Sequence, residues 1–218
     1  QMSKSLLLDF DGVIFNNIRM NRIIQHRATL YFQNHTHMPY YVASKVNAKL
    51  YKKYGHTVYL MKDLIEYPEN ITMNDFNDYV YSSKVLDSIS EEIDNDDIYT
   101  ANQWSDTIQQ FKDNDYKVKI FSNAPSKWIE RCLDVLPGDM HSIFDDCFCF
   151  DNLESLKPTE DSYFEVYENE KKIIFVDDSI DNLKPTQEFE NWYPVFFGKN
   201  TEDDIFSTTS PIAIQHFI

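Results

Sequence analysis

Short apolar runs that stop abruptly at polar residues recur along this chain. Leu6-Leu7-Leu8 runs into Asp9-Phe10-Asp11-Gly12, Val118-Lys119-Ile120-Phe121 into Ser122-Asn123, and Ile173-Ile174-Phe175-Val176 into Asp177-Asp178-Ser179. Runs this short predict buried strands. Tyr193 to Phe197 predicts a late strand, and Phe148 and Phe150 lie in another. Between these runs the period changes. Trp104, Ile108 and Phe111 form one apolar helical face, and Thr159 to Asn169 reads as a helix. Pro125 suits the first residue of a helix whose buried side is Trp128, Ile129, Cys132, Leu133 and Leu136. The pattern is that of an α/β protein.

Residues 16–98 break the alternation. They hold no strand-like run and read as helices. Tyr41, Val42, Val46, Leu50 and Tyr54 recur near helical spacing, with Gly55 placed to end that helix. Pro68-Glu69-Asn70 and Asp94-Asn95-Asp96-Asp97 punctuate this insert. The chain therefore divides into a core, residues 1–15 and 99–218, and a helical insert, residues 16–98. It has no internal repeat or low-complexity tract.

The strand ends carry the candidate chemistry. Carboxylates placed where a buried strand runs out sit at a sheet's carboxyl edge, where open α/β folds keep their ligand crevice. Asp9 and Asp11 there would repel each other unless a cation or shared proton offset them. A Mg²⁺ site with one Asp as nucleophile and the other as proton shuttle accounts for both. A strand followed by an Asp-Gly turn is the plainer reading of that motif. Ser122-Asn123 has a similar reading as a strand-end turn, Lys157 as a solvated loop lysine, and Asp177-Asp178 as a helix cap. All of them in one order are better explained together.

In that order, Asp9-Phe10-Asp11-Gly12-Val13, Phe121-Ser122-Asn123, Lys157-Pro158 and Val176-Asp177-Asp178-Ser179 resemble the four motifs of the haloacid dehalogenase (HAD) superfamily. The likeness covers nearly the whole chain. It implies a Rossmann-like core, a parallel sheet flanked by helices, with an inserted all-helical cap domain. Within the superfamily the insert looks most like the pyrimidine 5′-nucleotidase-type branch. The stretches that carry this are Arg22-Ile23-Ile24, Tyr31-Phe32, Leu50 to Thr57 and Asp75 to Val80. That branch usually has Thr where this chain has Ser122, and a histidine where it offers Lys127-Trp128.

The resemblance implies a Mg²⁺-dependent phosphomonoesterase that works through an aspartyl-phosphate. Asp9 would be the nucleophile and Asp11 the general acid and base. Ser122 and Asn123 would bind the phosphoryl group, and Lys157 would offset its charge. Mg²⁺ would sit on Asp9, the Asp11 carbonyl and Asp178, with Asp177 acting through a water and Asn182 bracing the loop. A phosphomutase or other phosphotransferase, and a non-catalytic binding protein on the same scaffold, are the alternatives. A dehalogenase is disfavoured, because the carboxylate at position 11 has no evident task in halide displacement. Arg19, Arg22, His26 and Lys53 are the cap residues expected to meet a substrate, although solvated helix faces are the commoner place for such side chains.

Composition narrows the partners. The 218 residues carry a formal net charge of -16, which argues against nucleic acid and anionic membranes as partners. The partner that the resemblance implies is a small phosphorylated metabolite, which an acidic surface does not attract. Such a substrate needs local positive charge, from Mg²⁺ and Lys157. No apolar stretch is long enough to span a membrane, and Leu6 to Leu8 is too short for a signal peptide. Three cysteines, an odd set, point to the reducing cytoplasm. Gln1 before Met2 reads as a cloning remnant. His35-Thr36-His37 lacks a third zinc ligand and reads as a loop. Cys147 and Cys149 share one side of a possible strand, where burial is the default.

Overall fold

The computed structural model describes residues 3–59, 61–64, 71–199 and 204–218. Gln1-Met2 and Pro68-Glu69-Asn70 lie outside the described residues. In chain order the first elements are β1 (Lys4–Leu8), α1 (Ile18–Thr36), α2 (Tyr40–Tyr54), α3 (Met73–Val80), α4 (Ser83–Glu92) and α5 (Asn95–Asp113). There follow β2 (Tyr116–Phe121), α6 (Ser126–Val135), α7 (Met140–Ile143), β3 (Asp146–Phe148) and α8 (Glu160–Val166). The last are β4 (Lys172–Asp177), α9 (Ile180–Leu183), β5 (Trp192–Phe197) and β6 (Phe206–Thr208). Two compact units emerge, Gln1–Asn16 with Ile93–Ile218, and Asn17–Glu92. The join set at residue 98 from sequence falls inside α5, which runs on as one helix.

The first unit is built on a six-stranded parallel sheet of order β3-β2-β1-β4-β5-β6. Parallel strands covered on both faces need continuous apolar runs. Leu6, Leu7 and Leu8 of β1, and Ile173 to Val176 of β4, are accordingly wholly buried. Leu7, Phe121, Phe175 and Trp192 pack against Tyr163 and Val166 of α8. Trp104 of α5 is buried, and its indole donates to the Val13 carbonyl at 2.8 Å. β3 stops at Phe148; Phe150 lies past it, its N–H donated to the Ala124 carbonyl. The two thiols of Cys147 and Cys149 border a cleft of about 340 Å³ with Ser126 and Asp151. Neither β6 nor the short helical turns from Ile212 to Phe217 is anticipated by the apolar pattern.

The second unit is helical. Asn17 caps α1 by accepting from the Met20 N–H, and Gly55, at φ 75, ends α2. The buried face of α2 is in part the one its spacing suggests, since Val46 and Leu50 pack against the unit's core. Tyr41 and Val42 are exposed, whereas Ala43 and Asn47 are buried. Small Ala43 joins Ala28, Tyr31 and Phe32 in the unit's core, and the Asn47 carbonyl oxygen accepts the Thr57 hydroxyl at 2.6 Å. An amide inside and a tyrosine outside depart from the apolar-in rule at these two positions. His35 and Thr36 complete the last turn of α1 rather than a loop, and His37, at φ 56, closes it. The acidic stretch at Asp94 starts a helix, since Asp94 and Asp97 form a capping box. Among the described residues no helix is long and apolar enough to cross a membrane.

A charged cluster inside the first unit centres on β2. Lys119, in the middle of β2, is buried and reaches Glu168 at 2.7 Å and buried Glu170 at 3.2 Å. Glu170 also accepts from the Ser5 hydroxyl. Removing one partner of a buried ion pair leaves the other uncompensated. Lys119→Met is therefore expected to cost about 3–5 kcal/mol, read as a fall in the urea midpoint. Lys119→Met/Glu170→Gln, which removes the charge and keeps one acceptor oxygen, should recover much of that loss.

Candidate active site

The strand order reverses at β1: β2 and β3 lie to one side, β4, β5 and β6 to the other. Ligand crevices of open α/β sheets form at such a point, beyond the carboxyl ends of the strands. Leu8 pairs with both Ile120 and Val176, so the three central strands end almost level. Asp9 follows β1 with its N–H donated to the Val176 carbonyl at 2.9 Å, Ser122 follows β2, and Asp177 closes β4. Each polar residue stands where its strand leaves the core.

Lys157 ties these ends together. Its ammonium, buried, donates to Asp9 Oδ1 at 3.0 Å, Asp177 Oδ2 at 2.7 Å and the Phe121 carbonyl at 2.7 Å. It also lies over the Phe121 and Phe175 rings, 4.8 and 5.4 Å from their centroids. Asn123 places this lysine by a reciprocal pair of bonds. Its amide nitrogen donates to the Lys157 carbonyl and its oxygen accepts the Lys157 N–H, both at 2.9 Å. Burial by itself would discharge the lysine, but Asp177 and Asp9 outweigh it and raise its pKa. Asp9 is pushed well above the ordinary carboxylate range by burial and by Asp177, with Lys157 pulling the other way.

Asp11 is held on one side. Its Oδ1 accepts the indole N–H of Trp128 at 2.8 Å. Burial raises its pKa to about 6, against the lowering effects of that bond and of Lys157. Gly12, at φ 80, follows. A Cβ there would lie 1.9 Å from Asp178 Oδ2, so only glycine lets the two loops approach this closely. Asp178 is exposed at the rim, yet the protein around it, then Asp177 and Asp11, hold its pKa up to about 7. Asp177 faces inward. Besides Lys157, it accepts from the Ser179 N–H at 2.8 Å and from the Asn182 amide at 3.1 and 3.3 Å. Tyr163 in turn donates to the Asn182 carbonyl at 2.6 Å.

Carboxylate oxygens of Asp9, Asp177 and Asp178 all lie within 4.8 Å of one another. Hard oxygen donors in an excess of negative charge are the set that Mg²⁺ takes, and Lys157 is a single positive charge among four carboxylates. The residues present therefore fit that ion. Ser122 is buried; its N–H is donated to the Phe148 carbonyl, and its Oγ accepts from the Ala124 N–H while keeping a hydrogen to donate.

Asp9, Asp11, Lys157, Asp177 and Asp178 thus converge, with Ser122 at the neighbouring strand end. Asn123 is close, but both ends of its amide are engaged with the lysine backbone. Trp128 is the participant that periodicity alone files as core packing. Its signal was available: a buried indole N–H needs an acceptor, and an apolar helix face supplies none. The Asn182 brace expected from sequence is present, whereas Tyr163 behind it carries no sequence signal beyond its place on an apolar face.

A family profile described as haloacid dehalogenase-like hydrolase matches residues 6–189. Solved structures resemble the chain over nearly its full length. A HAD phosphatase from Thermococcus onnurineus is 14% identical, with 98% of this chain and 97% of that one covered and a TM-score of 0.61. A dehalogenase is 15% identical, with 99% and 97% covered and a TM-score of 0.55. YfnB from Bacillus subtilis, solved bound to magnesium, is 12% identical, with 100% and 99% covered and a TM-score of 0.56. Likeness at such identities shows the fold. No curated protein matches the chain significantly in sequence. With the parallel sheet, the convergent strand ends and a profile match over most of its length, the chain belongs to the haloacid dehalogenase-like hydrolases.

Proposed function

We propose that this protein is a Mg²⁺-dependent phosphomonoesterase of the cytoplasm, acting on small phosphate esters through an aspartyl-phosphate. The observation that carries the reading is the pair of carboxylates after β1: Asp9 buried against Lys157, and Asp11 held beside it with a pKa of about 6. A nucleophile next to a group that can give and take a proton near neutrality is what ester hydrolysis requires. Halide displacement needs the first carboxylate but not the second, which favours the phosphatase over the dehalogenase among the proteins of this fold.

Asp9 attacks phosphorus, and the bond to the ester oxygen breaks as Asp11 delivers its proton to the departing alcohol. Asp11, now a carboxylate, takes a proton from water. That water's oxygen attacks phosphorus, and the bond to Asp9 breaks, releasing phosphate. Lys157 offsets charge on Asp9 and on the transferring group, and the Ser122 hydroxyl donates to a phosphoryl oxygen. Asp9, the Asp11 carbonyl and Asp178 would hold Mg²⁺, with Asp177 acting through a water. When bound, the ion supplies charge that lets Asp9 and a phosphate dianion share the site.

The resemblance of the helical insert to the pyrimidine 5′-nucleotidase-type branch makes UMP and CMP the first substrates to try. We propose that the insert is the cap and that Arg19, Arg22, His26 or Lys53 selects the substrate. In this structure Arg19 pairs with Glu92, His26 with the Tyr40 hydroxyl, and Lys53 lies over the Tyr54 ring.

Phosphate release should be measured from UMP, CMP, purine monophosphates, sugar phosphates and an aryl phosphate, with and without Mg²⁺. Release that requires Mg²⁺ and disappears in Asp9→Asn is the expected outcome; release that persists in Asp9→Asn refutes the nucleophile. Asp11→Asn should lose about 10²- to 10⁴-fold in kcat, the usual weight of general acid–base help. Alanine at each of the four cap positions should lower kcat/KM for the preferred ester in at least one case. If none changes it, selection lies elsewhere.

A stability measurement tests the metal site without turnover. The folded-state pKa of Asp178, about 7, lies above its ordinary value of 3.8. The folded protein therefore binds more protons than the unfolded chain between those values, and this group's contribution is lost as pH rises through 7. In EDTA, the Tm of Asp178→Asn minus that of wild type should grow between pH 5 and pH 8. Added Mg²⁺ should raise the Tm of wild type at pH 8 but not that of the variant. Equal responses in the two proteins would exclude Asp178 as a ligand.

A further inference from the structure

We infer that Trp128 is the positioning residue of the acid/base group, holding the Asp11 carboxyl so that only Oδ2 faces the ester oxygen. The inference rests on the phosphomonoesterase reading and adds to it the residue that aims the proton.

The indole donates to Asp11 Oδ1 at 2.8 Å. Indole nitrogen is a donor only, so the bond has one direction and cannot be shared as a hydroxyl or imidazole could share it. With Oδ1 occupied as an acceptor, the proton that Asp11 carries is directed to Oδ2. The indole itself has little freedom. Trp128 is buried in the first turn of α6, which starts just after Pro125. Its ring meets Phe15 edge-on at 5.7 Å, and Phe15 is stacked on Phe10. The Phe15 carbonyl accepts the Gly12 N–H at 2.8 Å, and Asp11 and Phe15 form a bridge. The loop that bears Asp11 thus closes on Phe15, and Phe15 fixes the ring that grips Asp11. A catalytic base oriented by a third group is a recurring design, because a carboxyl free to rotate spends most of its time misaimed.

A Trp chosen only for packing would satisfy its N–H on any nearby carbonyl, as Trp104 does on Val13. Trp128 instead spends its one donor on the carboxyl proposed to move the proton.

The readout is the dependence of rate on the leaving group. An alkyl phosphate needs its departing oxygen protonated, whereas p-nitrophenolate leaves without help. Trp128→Phe keeps the ring and removes the donor. It is expected to lower kcat/KM for the best alkyl ester, which reports the first phosphoryl transfer, about 10- to 100-fold, within the range of general acid catalysis, with kcat/KM for p-nitrophenyl phosphate changed less than about threefold. The ratio of the two rates does not depend on how much of the variant is folded. Trp128→His, which restores an N–H, should return the ratio towards wild type. An equal loss on both esters, no loss on either, or no recovery in Trp128→His would overturn the inference. Asp9→Asn and Asp11→Asn run alongside. If Asp9→Asn stays active, or Asp11→Asn shows no leaving-group dependence, the phosphomonoesterase reading itself fails. If both behave as expected and Trp128→Phe does not, only the positioning role falls.

Discussion

Four carboxylates gather around one buried ammonium at the point where the sheet order reverses, and the rest of the site follows from that imbalance. Two like charges about 4 Å apart repel by about 4 kcal/mol at an effective dielectric constant of 20. Lys157 answers only part of this, through its contacts with Asp9 and Asp177. Burial adds to the strain, and the pKa values of Asp9, Asp11 and Asp178 are displaced upward, by burial first and, for Asp9 and Asp178, also by the neighbouring carboxylates. Such a site either retains protons or takes up a cation. The same displacement leaves Asp11 able to carry a proton near neutrality.

Holding such a cluster together requires a scaffold that absorbs the repulsion. Parallel strands do so for Asp9 and Asp177, which stand at the ends of rigid, largely buried strands, while Lys157 comes in from the turn before α8. Asp9 and Lys157 are 148 residues apart in the chain, yet 3.0 Å apart in space. Backbone hydrogen bonds finish the placement: the Asn123 amide grips the lysine main chain, and Gly12 lets the Asp178 carboxylate come within a distance no Cβ would permit. Removal of the lysine would leave Asp177 buried against Asp9 with no cation between them. It is therefore as much a structural residue as an electrostatic one.

The fold carries less functional information than the site. A phosphatase and a dehalogenase both share this architecture at comparable structural similarity. What separates such chemistries is the residue set at the strand ends. In this chain the proposed phosphatase reading rests on the second carboxylate after β1, whose Oδ1 accepts an indole N–H.

Several parts of this structure were legible in the residues alone. The abrupt ends of the Leu6, Val118 and Ile173 runs marked the strands, because a strand buried on both faces is mostly apolar until it leaves the core, with a charge such as Lys119 tolerated only where it is paired. The Asp9, Asp11, Lys157 and Asp178 candidates followed from residue type and order. Other parts depended on tertiary contact. On α2 the helical spacing leads Val46 and Leu50 to the core, but not Asn47, whose buried amide is matched by a hydroxyl ten residues away. Asp94 to Asp97 looked like a break and proved to be a cap, because local side-chain bonds to backbone decide between the two. The partnership of Trp128 with Asp11, 117 residues apart, has no periodicity to announce it. Sequence by itself determined which apolar runs form the buried strands and which polar residue types stand at their ends. Only the tertiary structure decided which donor met which acceptor, because a hydrogen bond depends on distance and direction that no spacing along the chain encodes.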